Sequence, residues 1–209
     1  MTDSTDSKAK EYFYQKKYNE ALKLFMEDEN YYAVGLCSLL LKDTASAEKY
    51  WSKKKNDCPA CNFGLSILKF INLKPAKIPS FFQTRAQLEI YLNLFIENGL
   101  IEWAENLISN CDNFYIANPE SYKFIARALF ANGYFKLAIT FCKKTVSIYY
   151  CDPEAFLILA QCNFLLGDLG EALDWVNKTI EMVPEYHPAI LLKDILKKEI
   201  EKKHQNKNG

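Results

Sequence analysis

The chain has 209 residues, of which 49% are hydrophobic and 14% aromatic, which is ample material for a core. Its 26 basic side chains balance 26 acidic ones, and a formal net charge of zero argues against a protein that lives on phosphate contacts. Seven glycines and seven prolines are too few for an all-β chain of many tight turns, and no run is apolar for the roughly 18 residues a membrane span needs.

Residues 1–7 are polar and acidic and lack the apolar stretch of a secretory signal, so they are expected to be disordered. From 8 to 73 the pattern is helical but irregular. Tyr12 and Phe13 followed by Tyr18-Asn19-Glu20-Ala21-Leu22 read as a turn and the second helix of a hairpin. Tyr31, Val34 and Gly35, then Ala47, Tyr50 and Trp51, read as another hairpin. Ala21 and Ala47 are too close in sequence for a full repeat, which cuts one intervening helix short. A lone helix is expected at 59–72, after which Pro75 and Pro79 exclude a regular helix and make 74–79 a joint.

Regularity begins beyond the joint, over 80–186. Gly99, Gly133 and Gly167 recur at one constant interval, and each is followed, at the same offset, by Ala104, Ala138 or Ala172. A fixed period of roughly 34 residues marks a stacked array of helical hairpins. Here it defines three units of equal length: 85–118, 119–152 and 153–186. In the first helix of each unit Leu88, Tyr122 and Phe156 share one position, and Tyr91, Ile125 and Leu159 share the position three further on. Steps of three and four place such residues on one helical face. After the glycine turn, the alanine lets the second helix approach the first closely. Residues 187–204 read as a capping helix, with Ala189, Leu192, Ile195, Leu196 and Ile200 on one side and lysines around the rest, and 205–209 as a frayed tail.

The segment Pro153 to Tyr186, PEAFLILAQCNFLLGDLGEALDWVNKTIEMVPEY, closely resembles the signature of the tetratricopeptide repeat family, with its aromatic, Leu, small residue, G-D-x-x-E-A-L and closing Pro. The other two units share the spacing but carry Ile116 and Tyr150 where that proline stands. The resemblance covers 80–186 well and about 9–53 weakly, and it implies an all-α, right-handed α-solenoid of antiparallel hairpins with about 12 helices.

In that family the first helices line a concave groove that holds extended peptides or partner helices. Carried onto this sequence, the face comprises Glu89, Asn93 and Ile96; Lys123, Arg127 and Phe130; and Leu157, Gln161 and Phe164. Lys123 and Arg127 lie four apart and project from one side, suited to forking onto a carboxylate. Asn93 and Gln161 offer amides to a peptide backbone, and Phe130 and Phe164 offer apolar platforms one unit apart. The plainer alternative has the basic pair as a solvated face, matched to Glu89 and Glu154.

Seven scattered cysteines suit reduced thiols in a cytoplasmic protein better than a disulfide framework. Cys58-Pro59-Ala60-Cys61 has metal-ligand and redox spacing, but no second Cys or His pair completes a zinc set. The plainer expectation is that Cys58 ends a turn and Cys61 packs in the next helix. No nucleotide, nucleophile-elbow or zinc-protease motif appears, so neither catalytic residues, metal nor cofactor is expected. The leading expectation is a non-enzymatic adaptor for a protein or peptide partner, without nucleic acid or membrane insertion. The alternatives are a structural subunit or self-associating array and, more remotely, a redox or metal protein using Cys58 and Cys61.

Overall fold

A computed structural model describes residues 2–205, save the side chains of residues 2–5 and of His204. All regular elements among the described residues are helices, 13 of them, close to the number expected. No helix among them is long and apolar enough to cross a membrane. The chain divides into two compact units, Met1–Pro119 and Glu120–Gly209.

The first unit holds α1 (Thr2–Tyr14), α2 (Tyr18–Glu27), α3 (Tyr31–Leu40), α4 (Thr44–Lys54), α5 (Pro59–Ile71), α6 (Phe81–Glu97), α7 (Ile101–Ser109) and α8 (Cys111–Ala117). Residues 2–7, expected to be disordered, are the first turns of α1; Met1 lies outside the described residues. Residues 74–79, the expected joint, carry no helix. They do not divide the molecule, however, because α5 packs against both α6 and α7 beyond them. Gln83 Nε2 donates to the Pro59 carbonyl at 3.0 Å, and Asn106 Nδ2 to the Ile71 carbonyl at 2.8 Å, closing the unit across the link. The boundary falls instead at Pro119, so the repeat 85–118 belongs with the irregular helices before it. That repeat is itself irregular: its second helix breaks at Asn110 into α7 and the short α8.

Trp51 organises the core of this unit. Its indole is fully buried and donates through Nε1 to the Tyr32 carbonyl at 3.1 Å. It lies directly against the backbones of Gly35 on α3 and Gly64 on α5, both positions where only a missing Cβ leaves room for the ring. From Trp51 the aromatic contacts run on through Tyr91, at 6.4 Å between ring centroids, and from there to Phe63 and Phe95.

The second unit holds α9 (Ser121–Ala131), α10 (Phe135–Ile148), α11 (Pro153–Leu165), α12 (Leu169–Met182) and α13 (His187–Gln205). Helices α9–α10 and α11–α12 form the hairpins that the period requires, and α13 packs on α11 and α12 as the first helix of a further repeat would. Ala138 and Ala172 are fully buried at the hairpin crossings. The capping helix takes in Gln205, which the sequence pattern assigns to a frayed tail, while 206–209 lie outside the described residues. Its outer face is less polar than expected, since Leu191 and Ile195 are exposed there.

One backbone device ends seven of the helices. Gly99, Gly133 and Gly167 adopt left-handed φ values of 68°, 81° and 84°, and the following N–H reaches the carbonyl five positions back at 2.8–2.9 Å. The same turn, with the same bond, follows α1, α2, α3 and α5, but there Lys16, Glu29, Lys42 and Leu73 take the left-handed position, with φ between 51° and 66°. The same helix stop therefore recurs in the first unit, where Gly99 is joined by four residues other than glycine.

Candidate functional site

The residues assigned to a groove fall in both units. Glu89 and Asn93 sit half-buried on α6 of the first unit, each already engaged with neighbouring groups. Lys123, Arg127 and Phe130 lie on α9, and Leu157, Gln161 and Phe164 on α11, of the second.

The two basic residues do not form a free fork. Lys123 is 8% exposed, and its ammonium donates to Asp152 Oδ2 at 2.8 Å. Glu120 Oε1 at 3.3 Å and Glu154 Oε2 at 3.4 Å complete its surroundings. Arg127 Nη1 meets Glu154 Oε1 at 3.1 Å, so Glu154 bridges both cations. Burial by itself would lower the Lys123 pKa, but the hydrogen bond and charge of Asp152, with Glu154 and Glu120 behind them, hold it above the ordinary lysine value. The result is a charge lock between α9 and the start of α11. Its chemistry is internal: a buried cation saturated by carboxylates cannot also grip a ligand's carboxylate.

Asp152 has two roles in this lock. It is the N-cap of α11, with Oδ1 accepting from the Ala155 N–H at 3.0 Å, while Oδ2 takes Lys123. Pro153 at the first helical position makes the cap legible in sequence; the reach of the second oxygen back to α9 is not.

Leu157 is also buried. It belongs to a cluster with Ala160, Ala172, Val176, Ala189, Leu192 and Leu196, so α13 covers it. Phe164 packs partly against the same cluster. Among the assigned groove residues of the second unit, what stays accessible is a repeated pair: Arg127 with Phe130 on α9, and Gln161 with Phe164 on α11, all part-exposed. Each pair is spaced i, i+3, and the second recurs one full period after the first. Phe130 also approaches Phe135 at 5.9 Å between centroids, with the two rings tilted at 53°.

The Cys58–Cys61 pair serves the helix. Cys58 Sγ accepts from the Cys61 N–H at 3.2 Å as the N-cap of α5. Cys61 is buried, and burial pushes its thiol up to about 12, the opposite of what thiolate chemistry needs. All seven cysteines are free thiols.

The second unit thus repeats a helix–turn–helix hairpin at a constant period, with a buried alanine at each crossing and a left-handed glycine at each turn. The fold is that of a tetratricopeptide-like array. No protein-family model matches the sequence, and no curated protein matches it. Among solved structures it is similar to the C-terminal part of a TPR repeat-containing protein from Cytophaga hutchinsonii, at 17% identity and TM-score 0.47, covering 91% of this chain and 69% of that one. It is also similar to PilW, a type IV pilus biogenesis factor, at 17% identity and TM-score 0.47, covering 95% and 86%. A third is YrrB, described as a TPR protein with an unusual peptide-binding site, at 12% identity and TM-score 0.44, covering 91% and 90%.

Proposed function

We propose that the protein is a non-enzymatic, cytoplasmic adaptor that holds a peptide or a partner helix against the first helices of its hairpins. The observation that carries this reading is the repeated accessible pair, Arg127 with Phe130 and Gln161 with Phe164. A polar group beside an aromatic face, presented twice at one register, suits a chain whose side chains alternate between apolar contact and hydrogen bonding. Glu89 and Asn93 are the groups that α6 offers in the first unit. Lys123 and Leu157 support the surface from beneath. Ordering a flexible segment offsets much of its contact energy, so affinities on the order of micromolar are expected.

The test is affinity purification from the native host with the wild-type protein and with an Arg127→Glu, Phe164→Ala variant. Selective loss of partners from the variant supports the assignment; an unchanged partner set overturns it. Lys123 is left intact so that the fold is not disturbed.

One observation favours a second reading, a fixed contact with another helix. Leu191 is 65% exposed, and it occupies in α13 the repeat position that Leu157 holds in α11, where α13 itself covers it. The same position is thus buried in one repeat and open in the next. Sedimentation of the wild type and of Leu191→Lys across concentration separates the readings: concentration-dependent association lost in the variant supports the second, and a monomer at all concentrations removes self-association.

A further inference from the structure

The first unit contains a cleft that the groove reading does not use. It has a volume of about 510 Å³, within the range of ligand sites, and it opens between the α4–α5 turn and the first turns of α6. Its lining joins Lys55, Asn56 and Asn62 on one side to Phe82, Gln83 and Gln87 on the other.

We propose that this cleft binds an extended acidic peptide segment. Charge is the first argument. Lys55 is the sole charged side chain in the lining, and among the described residues no carboxylate holds it in an ion pair. Its neighbour Lys53 is occupied, lying over the stacked rings of Tyr31 and Tyr50 at 4.8 and 5.3 Å. The cleft therefore presents an ammonium with no ion-pair partner among the described residues, although the exposed Asp57 stands on the same turn.

Hydrogen-bonding capacity is the second argument. Asn56 and Asn62 are exposed amides, each able to donate and accept as a peptide backbone requires. Gln87 Oε1 accepts from Tyr32 Oη at 2.7 Å, which leaves its NH2 group as a donor. Phe82, at 78% exposed, adds an open aromatic platform for a side chain of the ligand. One lysine among amides suits a carboxylate-bearing chain and is too little for a polyphosphate backbone.

The cleft is also preorganised. Gln83 is used at both ends: Oε1 accepts from the Ser80 N–H at 3.0 Å, and Nε2 donates to the Pro59 carbonyl at 3.0 Å. That strap fixes the start of α6 against the start of α5, so the two walls of the cleft are joined before a ligand enters.

Fluorescence anisotropy of the full chain tests the proposal with three labelled probes: an octapeptide of Asp, Glu, Phe and Leu, its counterpart with Asn and Gln replacing the acids, and a single-stranded oligothymidylate. Saturable binding of the acidic peptide is expected, with the amide counterpart about tenfold weaker or more. Lys55→Glu should weaken the acidic probe by about tenfold and Phe82→Ala by about threefold, with the far-ultraviolet spectrum unchanged. NMR shifts of the Asn56, Asn62 and Gln87 side-chain amides should move on titration. No saturation up to about 1 mM, equal binding of the two peptides, or binding of the oligothymidylate as tight as that of the acidic peptide overturns the proposal. The Arg127→Glu, Phe164→Ala variant should bind the acidic probe as the wild type does, so this site and the adaptor face succeed or fail separately.

Discussion

Lys123 Nζ stands 2.8 Å from Asp152 Oδ2, with side chains only 10% and 14% exposed, and so joins two hairpins of the second unit by a nearly dry ion pair. Removing one partner leaves the other charge buried. Lys123→Met should therefore destabilise the protein by about 3 kcal/mol in urea unfolding, and Asp152→Asn by a similar amount through the lost pair and the weakened cap. A loss below about 0.5 kcal/mol in both would show that the pair behaves like an exposed one.

The pH dependence follows from the direction of the Lys123 shift. A lysine whose folded-state pKa lies above its unfolded value contributes its full stabilisation below the unfolded value, about 10.4, and loses it as pH rises through the folded one. The stability gap between wild type and Lys123→Met should stay level from about pH 7 to 9 and narrow above about pH 10.5. Urea titrations at stepped pH measure it; a gap that closes between pH 7 and 9 contradicts the assignment.

Gly35 and Gly64 are held to hydrogen by Trp51. A Cβ at Gly64 would meet the indole at 2.8 Å, and one at Gly35 would overlap Nε1 and Cε2 of the ring. Because Trp51 is fully buried it has no space to retreat. Gly35→Ala should cost at least the upper part of ~1–3 kcal/mol and Gly64→Ala somewhat less. In a Trp51→Leu background the Gly35→Ala penalty should fall by about 1 kcal/mol or more, and additive losses would argue against the contact.

At the turns the cost is one of backbone conformation. Nothing lies within 4 Å of a Cβ built on Gly133 or Gly167, so Gly133→Ala and Gly167→Ala should lose about 1–2 kcal/mol from the left-handed φ alone. The reverse change belongs to the first unit: Glu29→Gly and Lys42→Gly relieve a strained φ and should gain about 0.5 kcal/mol after the added freedom of the unfolded chain is counted. Melting temperatures moving in opposite directions for the two sets would check both.

Thiol accessibility separates structural from reactive cysteines. Cys151 is exposed and Cys58 partly so, while the other five are buried, with burial pushing Cys37 and Cys162 up to about 12 and raising Cys142 as well. A colorimetric thiol reagent should label Cys151 first and Cys58 more slowly, and reach all seven only on unfolding. Rapid reaction of Cys61 in the native protein would reopen a redox role.

The second unit was readable because glycine, alanine and aromatic positions repeat at fixed intervals, and each interval maps onto one contact. Cys142 on α10 and Cys162 on α11 are buried in the same unit. The lock around Lys123 was half readable: its i, i+4 partner Arg127 and the acid Glu154 lie in the periodic pattern, but burial of the ammonium depends on Asp152 arriving from the loop before α11. The boundary at Pro119 was not readable, since two prolines mark where a helix stops and say nothing of which helices pack across the gap. Trp51 between two glycines was equally hidden, because the three residues sit on separate helices with no fixed spacing.

The left-handed turns at Lys16, Glu29 and Lys42 are evenly spaced, the same gesture of the backbone written in different letters. A helix stop can therefore persist without the residue that makes it visible. Glycine is the least strained way to spell the turn, yet lysine, glutamate and leucine spell it here at exposed positions. Glycines mark the stop only in the later part of the chain; left-handed residues mark it from the first helix onward, at a shorter interval before Lys42 than after Gly99.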